Sequence, residues 1–296
     1  MNMKNIPLFS VLIANHNDGY FIDYAVESIK NQTYSNWEII IVDDASTDNS
    51  IDVYKKYKND HRIHISINDK NYGCGYTKRR LVELSNGEIC GFVDADDALT
   101  PDALEIMVDA HINNPDASLI YSYYYACDKK LNVLYTSVQQ CQIPDGLSFL
   151  EYQKGSVSHF ATFKRELYNR TNGINKDFQI AVDMDLYYKL EEVGRLIHIP
   201  KPLYYYRMGN TTHTYLGDNA QYALTWNFIA ITDACRRRGI NIEKYAFPFI
   251  DEIVNYKSIK AIQDVKKTPD YKIGYLLLKP YRFIKSIFAN FFNNKP

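Results

Sequence analysis

The stretch Ser10–Ser50, SVLIANHNDGYFIDYAVESIKNQTYSNWEIIIVDDASTDNS, sets two apolar runs of strand length on either side of a helical pattern. Ser10 to Ala14 reads as a strand, about Tyr20 to Asn31 as a helix, and Glu38 to Asp43 as a second strand. The run Ile39-Ile40-Ile41-Val42 is too uniformly apolar for a strand with one wet face. A strand–helix–strand unit of this kind closes as a right-handed crossover, so the strands are parallel and both carboxyl ends reach one edge. The rhythm continues with a helix from Thr47 to Tyr57, a strand from Ile63 to Ile67, a helix from Tyr76 to Leu84 and a strand from Ile89 to Asp94. The expected class is α/β, a mainly parallel sheet flanked by helices, with ligands gathering at the carboxyl edge.

Each strand runs into polar residues at that edge: Asn15, His16 and Asn17 after the first, Asp43 and Asp44 after the second, and Asp94, Asp96 and Asp97 after the fourth. Three separate segments therefore deliver polar groups to one crevice. Thr100 and Pro101 predict an N-cap and first turn for a helix reaching about Asn113. An acidic pair one residue apart at such a mouth suits a hard divalent cation that keeps part of its water and bridges phosphate oxygens. The competing reading makes these aspartates helix caps. Asp43 and Asp44 are open to the same two readings. A phosphoacceptor receiver domain also carries adjacent aspartates, but it starts on the strand that bears them and has no place for Ser10 to Asn17.

Composition narrows the partners. The 296 residues are 46% hydrophobic, enough for a large core, and 34 basic side chains balance 35 acidic ones, so no nucleic-acid partner is expected. Cysteines 74, 90, 127, 141 and 235 form no CxxC pair, which argues against zinc and against a disulfide scaffold, and makes a reducing cytosol the expected setting. The first apolar run is too short for a signal peptide or a membrane span, so export is not expected. The clusters Tyr121, Tyr123, Tyr124, Tyr125 and Tyr204, Tyr205, Tyr206 suit strands, with a sugar-lining role as the second reading.

Beyond Ser118 come tyrosine-rich strands, a segment from Gly155 to Phe163, and a helix in AVDMDLYYKLEEVG on which Leu186, Leu190 and Val193 recur at helical spacing. Asp183 opens that helix. A strand from Pro202 to Arg207 leads to the polar loop MGNTTHT, and Ala220 to Arg238 and Ile242 to Ile262 read as helices.

The first stretch, together with NYGCGYTKRRLVELSNGEICGFVDADDALTPDAL (71–104) and AVDMDLYYKL (181–190), resembles the family 2 glycosyltransferases of GT-A (Rossmann-like) fold over roughly residues 8 to 210. The resemblance implies an inverting enzyme that moves a sugar from a nucleotide-diphosphate sugar, UDP-linked, to a hydroxyl of a glycan or lipid-linked glycan, in surface polysaccharide synthesis. It implies a nucleotide site at Ala14, His16, Asp44, Lys78 and Asp94, with Ala14 and His16 at the base and Asp94 by the ribose. Asp96 would bind Mn2+ or Mg2+, and His213 in MGNTTHT is a third-ligand candidate. Asp183 would be the catalytic base, while Asp185, two residues along the helix, points elsewhere and should tolerate change. The chain departs from the family pattern at Ala14, His16, Lys78, Arg79 and Val182, where proline, tyrosine, arginine, asparagine and an acidic residue are frequent. Arg207 either reaches the diphosphate or covers the sheet edge, and His159 is expected as a core histidine.

The implied organisation is a catalytic domain over 1–215, with a nucleotide half to 115 and an acceptor half from 116, followed by a helical region over 216–296. The QxxRW motif of processive synthases is absent. A sugar nucleotidyltransferase needs a Gly-rich basic loop that Asn15 to Gly19 does not supply, and the remaining rival is an inactive relative serving as a scaffold. The tail YKIGYLLLKPYRFIKSIFANFFNNKP carries Lys279, Arg282 and Lys285 beside an apolar face of Phe283, Ile287 and Phe291, which suits either the inner membrane surface or packing on the domain.

Overall fold

Strand β1 (Phe9–Asn15) is buried along almost its whole length and lies between β2 (Trp37–Asp43) and β4 (Ile89–Phe92), parallel to both. With β3 (Ile63–Ile67) outside β2, the order β3-β2-β1-β4 reverses direction at β1, which opens a crevice beyond the carboxyl ends of β1 and β4. The crossovers are α1 (Ile22–Lys30), α2 (Ser50–Tyr54) and α3 (Cys74–Leu84). Helix α1 shows why the sequence folds this way: Ile22, Ala25, Val26 and Ile29 recur at helical spacing and are all buried, joining Val11, Ile13, Ile39 and Ile41 in one core.

The computed structural model describes residues 6–152, 157–208, 218–243 and 245. Beyond β4 come β5 (Ala98–Leu99), α4 (Ala103–Asn113), β6 (Ala117–Cys127), β7 (Val133–Ser137), β8 (Ala161–Lys164), α5 (Arg165–Tyr168), α6 (Val182–Glu191), β9 (Arg195–Arg207) and α7 (Asp218–Arg238). Strand β8 inserts antiparallel between β4 and β6, β9 runs parallel to β6, and β5 closes antiparallel on β9. Both tyrosine clusters lie in strands, as aromatic side chains favour, and all five cysteines are free thiols. The chain divides into two compact units, Met1–Ile242 and Glu243–Pro296. The helix expected over Ile242 to Ile262 and the basic tail lie almost wholly outside the described residues. Among those described, no helix is long and apolar enough to cross a membrane.

Several boundaries differ from expectation. Helix α4 starts at Ala103, and Thr100 does not cap it, because its hydroxyl donates to Asp102 Oδ1 at 3.2 Å instead. β5 was not expected, since two residues carry no periodicity. β9 extends back to Arg195 through Pro200 and Pro202, where its pairing with β6 shifts register.

Candidate active site

The ends of β1 and β2 are locked together by a buried network. The Asn15 amide donates to Asp43 Oδ2 (3.0 Å), Ser50 Oγ (2.9 Å) and Tyr54 Oη (2.7 Å), and the Tyr54 hydroxyl donates to Asp43 Oδ2 at 2.6 Å. Asp43 also accepts the Ser46 N–H at 2.7 Å, so this aspartate is structural, but it holds the loop and caps no helix, since α2 starts at Ser50 with Asn49 at its N-cap. Asp44 turns the other way. Its Oδ1 accepts from Asn68 Nδ2 (2.6 Å) and the Tyr72 N–H (2.9 Å), its Oδ2 from the Gly73 N–H (2.8 Å), and the loop before α3 is thereby folded onto the crevice. Gly73 has φ +90°, and a Cβ there would meet Gln179, so the glycine is required.

His16 is held edge-on by the same loop. Its Nε2 faces the side-chain amide nitrogens of Asn71 (3.1 Å) and Asn17 (3.3 Å), which can only donate, so Nδ1 carries the proton and donates to the Asp44 carbonyl at 2.8 Å. The ring is exposed and fixed in plane, an arrangement suited to stacking. Ala14, half-buried and opposite Val42, lies one turn of pleat behind it.

The acidic loop is the second wall. Asp94 Oδ1 lies 3.9 Å from Lys78 Nζ and its Oδ2 4.0 Å from His159 Nε2. Burial opposes ionisation of Asp94, but Lys78 and His159 outweigh it and hold the carboxyl below its ordinary range. Burial likewise works against the Lys78 ammonium, which Cys74, Asp94 and Asp183 stabilise so that its pKa is raised. Asp96 is different: burial, then the neighbouring Asp94 and Asp18 carboxylates, push it up to about 7. Asp97 is pushed well above the usual carboxylate range, by burial and then by Asp96 and Asp94. It caps no helix. Its Oδ1 accepts the Arg207 N–H at 2.7 Å across the β5–β9 pairing.

Arg207 is 2% exposed, its Nε donates to the Asp96 carbonyl at 2.5 Å and its Nη1 to the Lys129 carbonyl, and its guanidinium lies over Phe21 and Tyr24. This is a third role beside the two expected ones: Arg207 braces the acidic loop.

A pH prediction follows from Asp96. Its folded pKa, about 7, lies above its unfolded value near 3.9, so its contribution to stability is full below about pH 4 and is lost as pH rises through 7. Without added cation, Asp96→Asn should therefore gain melting temperature relative to wild type at pH 8 and lose that gain at pH 4.5. Parallel melting curves for the two proteins would contradict it.

The third wall is the start of α6. Asp183 is exposed in its first turn and lines a narrow cleft with Lys78, Phe92, His159, Ile174 and Tyr187. Asp185 is fully buried and paired with Lys189 at 2.6 Å, so the two aspartates diverge as helical spacing requires. His159 corrects its expectation as a core residue. β8 runs antiparallel to β4, with Thr162 opposite Gly91, and this carries the residue preceding Phe160 to the end of β4, beside Asp94. His213 lies outside the described residues.

Among the described residues no three His, Cys, Asp or Glu side chains converge to enclose a metal ion. The crowded Asp94–Asp96 pair, one carboxylate partly exposed and the other buried and forced towards neutrality, nonetheless fits a cation that takes its remaining ligands from phosphate and water. A larger cavity of about 520 Å³ lies behind the site, between α3, residues 172–177, α6 and α7. Its charges are largely neutralised in pairs such as Lys189–Asp185, Arg79–Glu83 and Arg236–Asp233.

The model of the family "Glycosyl transferase family 2" matches residues 10–172, more than half of the chain. The chain is 32% identical to the chondroitin synthase of Escherichia coli over 208 residues, 68% of this chain and 29% of that protein. It is 25% identical over 288 residues to glycosyltransferase GlyG of Streptococcus pneumoniae, covering 90% of this chain and 93% of that one. The chain thus spans about a third or less of the length of the synthase it matches. Among solved structures, S. aureus TarS 1–349 in complex with UDP is similar with a TM-score of 0.59 at 18% identity, over 75% of this chain and 64% of that one. The mannosyltransferase PcManGT of Pyrobaculum calidifontis, in complex with GDP-Man and Mn2+, is similar with a TM-score of 0.58 at 18% identity, over 96% and 84%. These neighbours share the GT-A fold, and by its sequence the chain belongs to glycosyl transferase family 2.

Proposed function

We propose that the chain is an inverting glycosyltransferase that moves one sugar at a time from a UDP-linked donor to a hydroxyl of a glycan or lipid-linked glycan in surface polysaccharide synthesis. The observation that carries this reading is the meeting of Asp183 with Lys78 and His159 in one cleft, with Asp94 3.9 Å from the Lys78 ammonium at its edge. The nucleotide base would stack on His16 and hydrogen-bond Asp44, whose position the loop 68–73 fixes. Asp183 would accept the proton of the attacking hydroxyl, a contribution of about 10² to 10⁴ in rate. Attack from the side opposite the leaving diphosphate inverts the anomeric centre. Asp96, with Asp94 beside it, would hold a divalent cation, which when bound neutralises charge on the leaving diphosphate. The basic, aromatic tail would keep the enzyme at the inner membrane surface.

The direct test incubates the protein with a panel of nucleotide sugars and glycan acceptors, with manganese or magnesium, and follows product configuration by NMR. Products with inverted anomeric configuration are expected; retained configuration, or no turnover with any donor, would overturn the reading. A narrower test addresses the cation. Asp96→Ala should lose the manganese-dependent part of UDP affinity in isothermal titration while its far-UV spectrum stays native, because the side chain belongs to a loop. Unchanged manganese dependence would remove Asp96 from the metal site.

A further inference from the structure

We propose that His159, together with Asp94 and Lys78, recognises a hydroxyl of the transferred sugar and so contributes to donor choice, an assignment that rests on the glycosyltransferase reading above. Two gaps flank the Asp94 carboxylate. Lys78 Nζ stands 3.9 Å from one oxygen of Asp94 and His159 Nε2 stands 4.0 Å from the other. Both exceed the roughly 3.2 Å limit of a direct hydrogen bond, yet an oxygen atom can sit about 2.8 Å from both partners of either pair. A carboxylate only accepts and an ammonium only donates, while an imidazole nitrogen does either, so the group that satisfies this frame both donates and accepts. A sugar hydroxyl does. A phosphate oxygen does not, because Asp94 repels it.

His159 is also held for the task. Its ring stacks on Tyr204 with centroids 4.8 Å apart at 15°, and on Tyr206 at 5.5 Å and 16°. The Tyr204 hydroxyl in turn accepts the Asp94 N–H at 3.0 Å, so one side chain sets the ring plane and the start of the acidic loop together. The next residue, Phe160, is fully buried and its N–H donates to Ser122 Oγ at 3.1 Å. A ring fixed in this way loses little entropy on binding, which is what selectivity between epimeric hydroxyls requires. Its place in the cleft of Asp183, next to the acidic loop, is where a sugar bridging base and diphosphate would lie.

The test is isothermal titration of wild type, His159→Ala and His159→Gln with UDP, UDP-glucose, UDP-galactose and UDP-N-acetylglucosamine, all with manganese. The preferred sugar nucleotide should bind wild type more tightly than UDP does. His159→Ala should lose about tenfold of that increment, the worth of one good hydrogen bond, with UDP affinity kept within twofold. His159→Gln, whose amide nitrogen can take the place of Nε2, should recover part of it. Equal weakening of UDP and the sugar nucleotides would make His159 merely a support of the loop, and an unchanged increment would remove it from the sugar site; either result overturns the proposal. Wild type that binds no nucleotide would instead overturn the donor reading beneath it, and the His159 assignment with it.

Discussion

Asp183→Asn is expected to abolish transfer, by a factor of at least about 10² to 10⁴, while leaving UDP-sugar affinity within about twofold of wild type. An amide keeps the shape of the carboxylate and cannot take the acceptor proton. The residue is exposed in the first turn of α6, and its neighbours in the cleft are side chains it would serve rather than a core it would support. Its substitution should therefore leave the melting temperature nearly unchanged, since Asp94 remains beside the Lys78 ammonium, and this separates lost chemistry from lost structure. Single-turnover assays with saturating donor measure the effect. Transfer within a few-fold of wild type would show that another group is the base.

The second large effect falls two residues away and is of a different kind. By sequence, Asp185 points away from the site and its substitution should be mild; the structure reverses that expectation. The side chain is fully buried, burial pushes its pKa up despite Lys189, and the pair at 2.6 Å is shut away from water on the Asp185 side. Lys189 Nζ also donates to the Gly173 carbonyl at 2.9 Å, so the pair ties α6 to residues 173–177, whose Ile174 lines the cleft. Asp185→Ala leaves a buried ammonium without its counter-charge, a loss of about 3 kcal/mol or more. For a unit of this size that lowers the melting temperature by about 6 to 12 °C. Asp185→Ala combined with Lys189→Met should recover most of the loss, since removing both charges leaves none to bury. A single-variant shift below about 2 °C would show that the lysine reaches water.

The two aspartates illustrate what local sequence can express. Helical spacing in Asp183-Met184-Asp185 separates their directions, and the sequence therefore distinguishes an outward carboxylate from an inward one. The same spacing puts Lys189 one turn beyond Asp185, but it does not say that the pair is buried or that Lys189 reaches the Gly173 carbonyl, because that happens only when α6 packs on residues distant from it.

The apolar runs Val11–Ile13 and Ile39–Val42, and the polar residues that end them, are properties of short segments. They determine parallel strands and a crevice at their carboxyl ends, and hence the positions of His16, Asp44, Asp94 and Asp96 without reference to any distant residue. The surroundings of those residues were decided elsewhere. His159 reaches Asp94 only because β8 enters the sheet antiparallel to β4, and Arg207 meets Asp97 only because β5 pairs with β9, 110 residues along the chain. Such pairings depend on which sheet edge the first four strands leave open, a competition among whole surfaces that no periodicity within a single segment records.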